Sequence, residues 1–199
     1  MFHPVLDAFF EMVSGGIAIV IAYEAAKARS FSKESIFLSF EISFALLGAS
    51  SVLRALLVLF TVFTARQVPL VGPFSILGDL VQACAGMLAY AILLWVQMKS
   101  HLAGTSILLQ VGFGLMVLSF NALNVFMLLA IATLVFVRFL RDRNANQALV
   151  VLGFLLLAFS HLSNMVGYSG GFLLPVENVL RLAGYLSLLA MLMRVRRVP

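Results

Sequence analysis

Seven apolar stretches can be cut from this chain, and the basic residues between them gather on alternate connections. A span needs about 20 mainly apolar residues at 1.5 Å rise each to cross a hydrocarbon core of roughly 30 Å. The stretches at 5–26, 35–62, 75–98, 104–120, 121–140, 146–166 and 175–194 satisfy this, taken here as spans 1 to 7. The run 104–140 is unbroken and apolar, and as one helix it would reach about 55 Å. The polar step Ser119-Phe120-Asn121, with Asn124 just beyond, is therefore the expected turn between spans 4 and 5. Pro4, Pro69, Pro73, Pro175 and Pro199 all fall at or outside span ends, where a missing backbone donor does little harm.

The charges orient these spans. Lys27, Arg29 and Lys33 follow span 1, Lys99 follows span 3, and Arg138, Arg141 and Arg143 follow span 5. Arg194, Arg196 and Arg197 close span 7, so ten of the 13 Lys and Arg lie on one side. Arg66 alone falls in a loop on the opposite side, and Arg54 and Arg181 lie within spans. Positive side chains are retained in the cytoplasm, so the N-terminus is expected outside and the C-terminus inside a cell membrane. The first segment has no basic leader and carries Asp7 and Glu11, unlike a signal peptide, and is read as a mature span.

Composition agrees. Hydrophobic residues make up 63% of the 199 and charged residues 11%, against about 25% charged in a soluble domain. The expected fold is an all-α polytopic transmembrane bundle of seven helices in one integral membrane domain, 1–199, with the lipid bilayer as its solvent. The net charge of +5 comes from segment ends rather than a binding face, so no nucleic-acid partner is expected. Cys84 is the only cysteine; it sits in an apolar run and reads as a small packing residue.

A faint internal repeat runs through the chain. Phe44, Leu46, Leu47 and Ser50 match Phe154, Leu156, Leu157 and Ser160 in spacing. Asp79, Val81, Ala85, Gly86 and Leu88 likewise match Glu177, Val179, Ala183, Gly184 and Leu186. This pattern yields a 3+1+3 plan of parallel halves, 1–103 and 121–199, joined by a span at 104–120. Any site then lies at their interface. Chance similarity between Leu-rich helices is the competing explanation. Small residues mark expected helix contacts: Ala18, Ala22 and Ala26, Gly48 to Ser51, Ala83 with Gly86, and Ala183 with Gly184.

Charged groups inside a span are costly and face a partner or a watered cavity. On this topology Asp7 and Glu11 lie in the outer half of span 1, Arg54 in that of span 2 and Asp79 at the outer start of span 3. His161 lies in the outer half of span 6, and Glu177 and Arg181 begin span 7, whereas Glu41 sits in an inner half. Helical spacing puts Ser50, Ser51 and Arg54 on one face, Asp79, Gln82, Gly86 and Tyr90 on another, and His161, Asn164 and Tyr168 on a third. Asn178, Arg181 and Tyr185 form an adjoining stripe, and Glu177 precedes Arg181 by four residues, the better order for an intrahelical ion pair. If these faces converge they line a polar pocket open to the outside, with Arg54, Arg181, Glu11, Asp79, His161 and Glu177 as candidate ligand-binding residues. The structural alternative is that the acids are interfacial groups favoured by helix dipoles and that Arg54 and Arg181 reach for headgroups.

Specific chemistries find no anchor. There is no HExxH, no Gly-rich phosphate loop and no nucleophile with an evident base. His101 and His161 are badly placed to clamp one haem, and span 7 has no core lysine for a retinal Schiff base. No enzyme activity, cofactor or metal is expected, and no family is assigned. Two functional classes remain. One is a small-solute transporter or permease, with Arg54 and Arg181 engaging a small polar or anionic solute while the acids balance charge or carry protons. The other is a membrane sensor or accessory subunit acting through a protein partner.

Overall fold

A computed structural model describes residues 4–32, 34–64, 71–99, 120–167 and 174–196. Six helices occupy them: α1 (Pro4–Ser32), α2 (Ser35–Thr64), α3 (Val71–Lys99), α4 (Phe120–Asp142), α5 (Ala145–Gly167) and α6 (Leu174–Arg196). All six contain a stretch long and apolar enough to cross a bilayer. By helix length and hydropathy the chain is a multi-pass membrane protein. The described residues thus hold six spanning helices against the seven expected, and the remaining expected span, 104–120, lies outside them.

Each helix begins within a few residues of its expected start. Pro4, Pro73 and Pro175 fall in the first turns of α1, α3 and α6, where backbone N–H groups have no intrahelical acceptor and proline costs nothing. Of the turn expected around Ser119-Phe120-Asn121, Ser119 lies outside the described residues and Phe120 begins α4. Asn121 and Asn124 belong to the first turns of α4, and Asn124 is buried at 2% exposure. Its amide is a packed group inside the bundle, not loop punctuation. The α4–α5 connection is two residues, Arg143 and Asn144. Arg143 adopts a left-handed φ of 46°, ending α4, and the Asn144 side chain accepts from Asn146 N at 2.9 Å, capping α5.

Helix directions follow from cross-helix contacts. Arg54 pairs with Glu11 and Asp79 while Arg29 pairs with Glu41, so α2 runs antiparallel to α1 and α3. Asp7 meets Asn178 and Glu11 meets Arg181, so α1 and α6 run parallel. Ser187 donates to Leu149 O at 2.9 Å, which with the Gly184–Leu157 approach makes α5 and α6 antiparallel. α1, α3, α4 and α6 therefore point one way, with Lys27, Arg29, Lys99, Arg138, Arg141 and Arg194 toward one end of the bundle. α3 ends at that basic end, whereas α4 starts at the opposite end. Neighbouring helices pack in the cycle α1–α2–α3–α4–α5–α6–α1, closing a ring.

Close approach in the ring depends on missing side chains. A Cβ on Gly48 would sit 2.6 Å from Ile19 Cγ1 and 2.9 Å from Gly15 O; one on Gly153 would sit 2.6 Å from Leu188 Cγ. These contacts seat α1 on α2 and α5 on α6, as small residues do where no water drives association. Ala18, Ala22 and Gly48 are buried as expected, but Cys84 is exposed. The packed face of α3 carries Ala89, Tyr90 and Leu93, and Cys84 lies off it, so it is not a packing residue. Phe9, Tyr23, Phe63, Trp95, Phe159 and Val179 form part of an exposed apolar shell suited to lipid. Toward the basic half, Phe40, Phe44, Phe154, Leu157, Leu188 and Leu192 fill the ring and are almost wholly buried.

Gly48→Val is expected to destabilise the protein by about 1–3 kcal/mol through overpacking. Gly16→Ala, which meets nothing within 4 Å, should be neutral or stabilising by up to ~1 kcal/mol. Thermal unfolding in one membrane mimetic distinguishes the two; equal effects would mean that the α1–α2 approach is not close.

Candidate functional site

Opposite the basic end, five charged side chains from four helices meet around one carboxylate. Glu11 is 1% exposed. Its Oε1 accepts from Arg54 at 2.7 Å and also from Arg181, while its Oε2 accepts from Gln82 Nε2 at 3.1 Å. A buried carboxylate is retained only when its charge is matched and its lone pairs are filled, and both conditions are met here by three other helices.

Each guanidinium is in turn shared among acids. Arg54 Nε donates to Asp79 Oδ1 at 2.7 Å, and its second terminal nitrogen lies 3.7 Å from Asp7 Oδ2. Arg181 pairs with Glu177 one turn earlier on α6 as well as with Glu11, the arrangement expected from their spacing. Asn178 donates to Asp7 Oδ1 at 3.3 Å. Four carboxylates, Asp7, Glu11, Asp79 and Glu177, thus surround two guanidiniums, a formal excess of two negative charges.

Of the six candidate residues, Glu11, Arg54, Asp79, Glu177 and Arg181 converge in this network. Arg54 contacts carboxylates of two other helices, and Arg181 is 7% exposed, so neither reaches for headgroups as its main engagement. His161 stands outside the network. Its Nε2 lies 3.3 Å from Tyr90 Oη, with the rings edge to face at 5.8 Å. Tyr168, expected on the same face as His161, lies outside the described residues. Glu41 pairs with Arg29 at 3.1 Å near the basic end, away from the cluster.

The network forms part of the wall of a cavity of about 520 Å³, a size typical of small-molecule sites. α2 and α3 contribute Ser51, Arg54, Asp79 and Gln82 to it, and α6 contributes Arg181 and Tyr185. His161 and Asn164 of α5 and Asn121 and Asn124 of α4 add further polar groups, and Leu47, Ile76, Leu80 and Met165 give the wall an apolar share. The α4 amides were absent from the expected site because their polarity read as a turn. Gln82 and Asp7 shared the helical faces of expected residues, but spacing alone did not reveal what they bond. Tyr185 packs edge to face on Phe44 at 5.9 Å, joining the cavity lining to the aromatic layer.

Glu11→Gln is expected to cost about 1.5–3 kcal/mol, because the buried Arg181 and the half-buried Arg54 lose a shared counter-charge while each keeps another acid. Asp79→Asn should cost less than about 1 kcal/mol, since the Asp79 side chain is 59% exposed and its pairing is screened by water. Unfolding of both variants in lipid nanodiscs measures the difference, and equal losses would remove Glu11 from the centre of the network. The chain matches no protein-family model, no curated protein and no solved structure.

Proposed function

We propose that the protein is a permease-like membrane protein that takes a small polar solute into the cavity lined by α2 to α6. The observation that carries this reading is the cavity itself: about 520 Å³, lined by hydroxyl, amide, imidazole and charged groups from five helices. Ionisable groups inside a span are costly, and those that face a cavity are by default candidates for a solute or ion site. On the positive-inside asymmetry we place the cavity and the N-terminus outside and the basic end in the cytoplasm of a cell membrane.

The bundle reads further as two three-helix halves, α1–α3 and α4–α6. In support, the halves run in the same directions, and the α3–α4 and α6–α1 seams exchange when the halves are exchanged. Phe44 and Phe154, Leu47 and Leu157, and Ser50 and Ser160 are buried at matching positions. Transport by such halves proceeds by rocking one against the other around a site between them.

A second reading, a sensor or accessory subunit, is favoured by one observation. Phe40, Phe44 and Phe154 close the basic half of the ring, so a bound solute meets an apolar layer rather than a polar path. Reconstitution separates the two. Purified protein in liposomes is expected to accumulate a labelled small polar solute. Asn164→Leu, on the cavity wall and outside the ion network, should lower uptake about tenfold, the loss of one contact worth ~1.4 kcal/mol. Binding without uptake favours the sensor, and neither binding nor uptake overturns both readings.

A further inference from the structure

Two arginines within spans suggest a site for an anion, but the charges around them point the other way. We infer that the site accepts a small organic cation, an amine bearing further N–H or O–H donors, with its charge at Asp79 and a donor directed to Asn124 Oδ1. This rests on the cavity being a solute site and names the class of solute.

The guanidiniums are already engaged. All three nitrogens of Arg54 lie at carboxylates, on Asp79, Glu11 and Asp7, and both terminal nitrogens of Arg181 do so, on Glu11 and Glu177. An anion entering here would compete for guanidiniums that are already charge-paired with carboxylates, Arg54 through bonds of 2.7 Å to two of them. It would also join a cluster with two negative charges in excess. Such an excess attracts a counter-charge. Among the acids, Asp79 both lines the cavity and is the most exposed, while Arg54 holds it through Oδ1. The other charged wall groups, Arg54 and Arg181, are more than balanced by the four acids around them.

Asn124 gives a second, independent indication. It is 2% exposed, lines the cavity, and its Oδ1 has no hydrogen-bond partner. A buried carbonyl oxygen left without a donor costs roughly 1–3 kcal/mol, so such a group in a cavity wall points to a donor that the ligand brings. A carboxylate or a phosphate brings no such donor when ionised; an ammonium, an amide or a hydroxyl does. Tyr90 and Tyr185, both on the wall, supply aromatic surface against which a cation's apolar body can pack.

The test uses the full chain in lipid nanodiscs at fixed ionic strength, with matched probes: ethanolamine, ethylene glycol and glycolate, then benzylamine, benzyl alcohol and benzoate. The expected result is that an amine raises the unfolding temperature while its matched carboxylate does not. Asp79→Asn should weaken amine affinity about tenfold, and Asn124→Leu should weaken ethanolamine about as much. Each variant is compared with its own ligand-free baseline, so a change in folding stability does not enter. Stabilisation by carboxylates in preference to amines overturns the inference, as does amine binding undiminished in both variants. Alcohols binding as well as amines, and insensitive to Asp79→Asn, overturn the cationic class but leave the cavity as a solute site. No shift with any probe overturns the solute-site reading and this inference with it.

Discussion

The carboxylate of Glu11, held between Arg54 and Arg181, is the constraint on which the rest of the bundle depends. An isolated charge at 1% exposure in a helix that crosses lipid would be prohibitively expensive. The helices around it must therefore bring counter-charge to one point. A residue on a helix turns through about 100° per position and rises 1.5 Å, so this single meeting point sets both the rotation and the axial offset of α1, α2 and α6. Gln82 and Asp79 then bring α3 to the same place. The glycine approaches at Gly15–Gly48 and Gly153–Gly184 supply the tight backbone spacing that lets short side chains reach across.

Because the arginines are consumed in holding helices together, the chemistry left for a ligand lies elsewhere on the cavity wall. The groups with capacity to spare are the exposed Asp79 and the unpartnered Asn124 Oδ1. On the proposed reading the ion network is scaffold and source of a negative field, whereas amides and aromatic rings form the contact surface for a solute. Below it, the layer of Phe40, Phe44 and Phe154 separates this polar half from the basic end. Passage of a solute requires that layer to open. Sensing requires only that occupancy of the cavity shift the Phe44–Tyr185 contact beneath it.

Much of this was legible in the chain, and the boundary of legibility has a physical reason. Hydropathy and basic residues report depth, so the six described spans and the shared level of Glu11, Arg54, Asp79, Glu177 and Arg181 could be read directly. Spacing reports which residues share a face, so the Glu177–Arg181 pair was expected too. Neither reports which neighbour a face meets, and for that reason Glu11 could not be distinguished as the hub from Asp7 one turn away. Asn124 shows a second limit: a polar residue between apolar ones reads alike as a turn or as a buried cavity group. Cys84 shows a third, since small size marks a contact only when the residue lies on the packed face.

The account is tested most directly by a double-mutant cycle on Glu11→Leu and Arg181→Leu, with unfolding free energies measured in one lipid environment. The pair is predicted to be coupled, the double variant losing less than the two single losses together by at least about 2 kcal/mol, because the direct Glu11–Arg181 ion pair is lost in either single change and is lost only once in the double. Losses that add to within about 0.5 kcal/mol would contradict it, since two side chains that do not sense each other cannot hold the helices of this ring in place.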